Sequence, residues 1–344
     1  MSKILVFADN HFCERVSIVN KFGLKYSVRL ENQIATMNWI ADLANSRAVN
    51  AVVCLGDFFD KPQLTDQELT ALNEIKWAAA PHYFLVGNHE SEENDLQYSS
   101  TKALESENRL VVDTPRVIQL DDCELAFLPY IVESNRKGVG EYFSALGEKR
   151  RILFSHNDLF GVQLGPIVSV TGFKPDELGA YCDLCLNGHL HNGQKITDKV
   201  MNLGNITGRD FGEDFKKYKH CAAIVDTESL SVELIENPHA LAFYKIEIGK
   251  EKDLSQLKTL ADHAVISVKV SESLASKARE IIDANDGGKI VEHRLVVMHE
   301  ETNGESKVDP ADLTMDQYAR FAQCCREKLE NTEILEQELA EILK

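Results

Sequence analysis

Short apolar runs, each closing on a polar or titratable cluster, recur along this chain. Ile4 to Ala8 ends on Asp9-Asn10-His11, and Ala51 to Leu55 on Gly56-Asp57-Phe58-Phe59-Asp60. Tyr83 to Val86 ends on Gly87-Asn88-His89-Glu90, Ile152 to Ser155 on His156, and Leu184-Cys185-Leu186 leads to Gly188-His189-Leu190-His191. Runs without polar alternation predict strands covered on both faces, as in a parallel sheet. Helical sequence from near Leu30 to about Arg47 separates the first two. Thr65-Asp66-Gln67-Glu68 is a capping box that predicts a second helix, reaching about Ala79. Strand, helix and strand in this order imply right-handed parallel crossovers.

From Arg109 the pattern shifts to short β segments at 109–112, 116–120 and 124–129, which predict a second sheet packed on the first. Further strands are expected at 200–202, 220–226, 231–235 and 242–248. Residues 250–300 read as a separate small α/β unit, with strands at 264–270 and 292–300 around a helix at 272–284. A polar linker at 301–307 precedes Asp309-Pro310, which opens helical sequence. Tyr318, Phe321, Cys325 and Leu329, then Leu335, Leu339 and Ile342, give two amphipathic helices suited to docking on another protein. The expected fold class is α/β (α+β): a layered β-sandwich over 1–248, a small α/β cap over 249–300, and C-terminal helices over 301–344.

Composition fits an ordinary folded protein: 344 residues, 44% apolar and 27% charged. No apolar run approaches the roughly 20 residues of a membrane span, and the chain enters a strand without a basic leader, so a cytoplasmic location is expected. Eight cysteines lack paired metal-binding spacing and are read as reduced thiols, Cys182 and Cys185 included. The net charge of -18 opposes unaided nucleic-acid binding. It is uneven, with 12 acids and 5 bases from Glu300 onward, so any such grip must be a local basic patch or be shared with a partner.

Parallel sheets place ligand sites beyond the carboxyl ends of their strands, where all five polar clusters fall. Carboxylate, amide and imidazole donors favour manganese, iron or zinc in an open site over a closed structural zinc. Two such cations about 3.5 to 4 Å apart can clamp a phosphodiester and activate water, and one carboxylate shared between them fixes the spacing. His89 is placed to give a proton to the leaving alkoxide. Asp60 is read as a carboxylate that orients a ligand imidazole or water.

The five clusters in this order, D-x-H, GD-x-x-D, GNH(E/D), a lone H and GH-x-H, resemble the calcineurin-like metallophosphoesterase superfamily over roughly the first 245 residues. That resemblance implies a four-layered sandwich. It also implies that Asp9, His11, Asp57 and His191 hold one metal and that Asp57, Asn88, His156 and His189 hold the other. A core, a small cap and terminal helices in succession resemble the SbcD-type DNA nuclease subunit. This narrower resemblance implies manganese-dependent 3′–5′ exonuclease action, with some endonuclease action, in DNA recombination and repair. It further implies an SbcC-type ATPase bound through the terminal helices. Magnesium, iron or zinc as the ion, a homodimer, and a phosphodiesterase or phosphatase acting on small nucleotides or phosphoproteins stay open as alternatives. Two stretches are expected to contact substrate: the insertion at 12–29 with Arg15, Lys21, Lys25 and Arg29, and the loop at 204–213 with Lys216, Lys217 and Lys219 after it.

Overall fold

The five apolar runs form strands in the computed structural model, which describes residues 2–298 apart from 15–17, 20, 94, 121–122, 145, 147–148, 165–166 and 214–216. The chain passes through β1 (Lys3–Phe7), α1 (Val28–Ser46), β2 (Ala51–Cys54), α2 (Asp66–Leu72), β3 (His82–Leu85) and β4 (Arg109–Val112). It continues through β5 (Arg116–Leu120), β6 (Cys123–Leu128), α3 (Lys137–Ser144) and β7 (Arg151–Ser155). A two-stranded hairpin, β8 (Gln163–Leu164) and β9 (Ile167–Val168), precedes α4 (Pro175–Ala180), β10 (Leu184–Asn187), β11 (Gln194–Lys195) and β12 (Val200–Asn202). The last elements are β13 (Cys221–Asp226), β14 (Val232–Glu236), β15 (Ala242–Ile248), β16 (Ala264–Ser271), α5 (Ala275–Asp283) and β17 (Ile290–Met298).

One sheet has the order β14-β13-β1-β2-β3-β4, parallel from β1 to β4; the other has the order β11-β12-β10-β7-β6-β5. Side-chain alternation divides each strand between two cores. Leu5, Phe7, Val52 and Phe84 pack under α1 and α2, while Ile4, Val6, Val53 and Leu55 meet Leu125, Phe127, Ile152 and Phe154 of the facing sheet. Leu153 and Cys185, on the far face, pack with Val139, Phe143 and Leu178 of α3 and α4. The layers are therefore helix, sheet, sheet, helix, as expected. Full burial of each large apolar side chain contributes roughly 1.5–3 kcal/mol.

Four details differ from the expectation. Residues 109–112 were assigned to the second sheet, yet they pair parallel with β3. The short return through Ser100–Leu104 leaves them beside that strand, with the Arg109 guanidinium over the Trp77 ring. Helix α2 stops at Leu72 rather than near residue 79, because Asn73 turns its side chain onto the Leu69 and Thr70 carbonyls. Asn38 and Asn45 of α1 then take the N–H groups of Lys76 and Ala79. The third is Glu90, which closes the polar cluster after Tyr83 to Val86 yet is fully buried. The fourth concerns residues 242–248, expected to continue the sandwich: β15 pairs in parallel with β16, and β16 with β17, in a separate three-stranded sheet.

In that third sheet Ile246, Ile248, Val268 and Val270 pack with Leu254, Leu257, Ala278 and Ile282. Its other face carries Phe243 and Val265 against Val19 of the insertion, with Phe211 alongside. The linker and helices expected over 301–344, and the end of the strand expected to reach residue 300, lie outside the described residues. Six cysteines, at 13, 54, 123, 182, 185 and 221, are free and buried. Among the described residues no helix is long and apolar enough to cross a membrane.

Candidate metal centre

The loops that follow β1, β2, β3, β7 and β10 meet at one end of the sandwich, and they hold their side chains with strained backbone. Asp9, His11, Asp57 and His189 all adopt positive φ, at 51°, 48°, 48° and 74°. Non-glycine residues in that region cost on the order of 1–3 kcal/mol each, and such strain gathers at functional sites. Two glycines let the loops close. At Gly56, φ is 110° and a Cβ would come 2.4 Å from the His156 ring; at Gly87 it would come 2.0 Å from Asp57 Oδ1.

Two clusters of donor atoms result, each with its atoms within 4.8 Å of one another: Asp9, His11 and His191 in one, Asp57, His156 and His189 in the other. Asn88 Oδ1 joins the second, 2.9 Å from His189 Nδ1 and 3.3 Å from His156 Nε2. Asp57 stands between them, and together with His11 and His89 it forms a third overlapping group. The seven side chains expected as ligands from the sequence thus come together.

The imidazoles carry the test of fit. Each has one nitrogen turned inward and the other engaged by an acceptor. His11 Nδ1 lies 3.0 Å from Asp60 Oδ1, and His156 Nδ1 donates to the Leu55 carbonyl at 2.8 Å. His189 Nε2 lies 2.9 Å from Asp158 Oδ1, and His191 Nδ1 lies 3.4 Å from Glu213 Oε1. An outward acceptor holds the proton on that side and leaves an inward lone pair, the arrangement of a metal-bound histidine. His11 Nε2 and His191 Nε2 face each other at 3.1 Å, close enough to share a proton or a cation. The donor set fits divalent cations.

The carboxylates demand positive charge at the centre, a proton on His156 or a cation in its place. Burial pushes His11 down to about 3, so its imidazole is neutral. Burial also opposes charge on His156, but the Asp57 carboxylate at its Nε2, with Asp9 and Glu90 near, holds it up at about 9. Burial acts to raise Asp57, but the charge of His156 and its hydrogen bond outweigh it and keep the carboxylate ionised. Burial and the Asp57 charge push Glu90 up to about 7. Glu90 accepts the Gly87 and Phe59 N–H groups, at 2.8 and 3.0 Å, and so ties two of the site loops together.

His89 sits on the open side, its side chain 31% exposed, with its backbone N–H donating to Asp57 Oδ1 at 3.0 Å and its Nδ1 3.1 Å from the Asp60 carbonyl. Its ring lies edge-on to His11 at 4.7 Å.

Sequence reasoning missed Asp158, Glu213 and Arg209. Asp158 follows His156 by two positions, a spacing that could have drawn attention to it. Glu213 and Arg209 lie in the glycine-rich loop at 204–213, read as a surface for phosphate. Arg209 instead enters the site, with Nη1 3.2 Å from His11 Nε2 and 3.4 Å from His191 Nε2, and Nη2 3.1 Å from Asp60 Oδ1. The bases expected to touch substrate have other partners. Arg29 is fully buried, donating to Cys13 Sγ and the Gly208 carbonyl; Lys21 pairs with Asp286 and Lys25 with Glu74. Lys219 pairs with Glu236 and Lys217 lies over the Tyr218 ring, whereas Arg15 and Lys216 fall outside the described residues.

The calcineurin-like phosphoesterase family model matches residues 2–214. Protein 244L of Invertebrate iridescent virus 6, of phosphoesterase class, is 25% identical over 283 residues, which cover 78% of this chain and 86% of its own. Protein 078R of Invertebrate iridescent virus 3, of the same class, is 25% identical over 189 residues, covering 51% and 52%. Among solved structures, TT1561 of Thermus thermophilus aligns with a TM-score of 0.41 at 12% identity, covering 68% of this chain and 98% of that one.

Proposed function

Because this chain belongs to the calcineurin-like phosphoesterases and is a metal-dependent phosphoester hydrolase, we propose that its substrate is a phosphodiester of DNA, cleaved with manganese as the ion. The observation that carries the hydrolytic reading is the set of four imidazoles around Asp57, each with an outward acceptor and its other nitrogen turned inward. Asp9, His11, Asp57 and His191 would hold one cation, and Asp57, Asn88, His156 and His189 the other. When bound, two cations supply water activation and charge neutralisation at the phosphate.

The chain's own residues supply the rest. His89 stands at the open side, free of the two ligand sets, and gives the leaving oxygen its proton, a role commonly worth about 100- to 10,000-fold. Asp60 orients His11 and steadies Arg209. The Arg209 guanidinium, beside the first donor cluster and 3.1 Å from Asp60 Oδ1, would offer the non-bridging phosphate oxygens a planar fork of donors. The DNA reading is supported by the order of catalytic unit, three-stranded α/β sheet and acidic tail, in which an SbcC-type ATPase would bind residues 301–344.

The test is a 3′-labelled DNA duplex with manganese, run beside bis(p-nitrophenyl) phosphate. Stepwise release of nucleotides is expected. Cleavage of the small diester with DNA untouched moves the substrate to small phosphodiesters. Removal of 301–344 should spare cleavage and abolish co-purification with the ATPase; an unchanged complex rules out the tail as its docking site.

A further inference from the structure

Beside the donor clusters lies a second feature that the hydrolytic chemistry does not use. A cavity of about 420 Å³ opens there, walled by Leu96, Tyr130, Ile131, Gly138 and Tyr142. Its size is that of a small-molecule pocket, which commonly spans roughly 300–1,000 Å³. Tyr130 belongs to both places: it forms part of the cavity wall, and its ring packs on His189 with 5.8 Å between centroids. Whatever fills the cavity is therefore adjacent to a group held at His189. Asp113, also in the wall, is ion-paired with Lys102 at 2.7 Å and remains an acceptor at the cavity's edge. Aromatic faces with an acidic rim suit a flat heterocycle that bears amino groups and repel a second phosphate.

We propose that this cavity receives the nucleobase next to the scissile phosphodiester, stacked on Tyr130. The inference rests on the nucleotide reading above and assigns that site a base-binding pocket. Stacking of a base on an aromatic side chain is commonly worth about 5- to 150-fold in affinity.

Gly138 provides the sharper probe. It lies in α3 on the cavity wall, and a Cβ there meets no heavy atom within 4 Å. Gly138→Leu therefore adds bulk at the cavity wall without displacing a heavy atom, and Tyr130→Ala removes the stacking face. The experiment measures calorimetric binding of dAMP and of base-free deoxyribose 5-phosphate to the full chain with manganese. The wild type should prefer dAMP by about 10-fold or more, and both variants should lose that preference while binding of the sugar phosphate stays unchanged. Equal affinity of the wild type for the two ligands, or an unaltered preference in Gly138→Leu, overturns the proposal. If Tyr130→Ala fails to fold, Gly138→Leu alone decides. Cleavage of labelled DNA in the same buffer separates the two readings. DNA left intact beside a retained dAMP preference removes the nuclease and keeps the pocket; DNA cleaved without that preference removes the pocket alone.

Discussion

The two donor clusters that meet beside Asp57 are oriented by different means. In the cluster of Asp57, His156 and His189, the fully buried His156 is pinned by a main-chain carbonyl, Leu55 O, inside the strand layer. In the cluster of Asp9, His11 and His191, both rings depend on side-chain carboxylates, Asp60 and Glu213. The second of these belongs to the glycine-rich loop that also delivers Arg209, whose guanidinium sits against the two inward nitrogens. Main-chain anchors inside a sheet move only if the sheet moves, whereas loop carboxylates can be turned or outcompeted. His156 is thus built into the framework, while His189, held by the Asp158 carboxylate, and both rings of the other cluster are adjustable, and that other cluster is already in contact with a competing positive charge.

The largest expected effect comes where the two clusters meet. Asp57→Asn should lose cations from both positions and drop turnover to background, read by metal content after dialysis; retention of two ions would break the picture of a shared carboxylate. Next in size, His89→Asn should lower kcat by about 100- to 10,000-fold while both ions stay bound. Parallel loss of metal would make His89 a ligand. Smaller and more discriminating are the carboxylates behind the rings. Asp60→Asn and Glu213→Gln should weaken the first position by about 10- to 100-fold and spare the second, with Asp158→Asn doing the reverse. Manganese titration followed by paramagnetic resonance would resolve the two, and equal weakening of both positions by any one variant would erase the contrast. The smallest effect belongs to Arg209→Ala. Removing a like charge should raise cation affinity at the first position by about 5-fold, while kcat/KM falls because the phosphate loses its fork of donors.

The ligand candidates were legible because every one follows an apolar run, and the parallel strands within each of the two sheets bring their carboxyl ends to one edge. Asp60 was legible for a related reason, since it shares the Asp57 loop. Asp158 and Glu213 were harder to see. Their function depends on which ring nitrogen points outward, a property of loop geometry that no periodicity encodes. Glu90 escaped because an acid beside a histidine motif ordinarily implies exposure, and here two backbone N–H groups compensate its burial. The basic insertion misled in the opposite sense: Lys21, Lys25 and Arg29 suggested phosphate, but an acidic chain supplies enough carboxylates and carbonyls of its own to engage them. Residues 242–248 misled because an alternating β segment does not say which sheet it will join.

The sealed thiols offer a practical return. Cys54, Cys123 and Cys185 sit in three different strands at 1%, 0% and 0% exposure, and burial raises the thiol pKa of Cys54. A thiolate-seeking reagent should therefore pass over these positions while the sandwich is closed and mark each one as its strand opens. Peptide-resolved alkylation over time, with Cys324 and Cys325 counted apart, would chart the order in which the layers come undone.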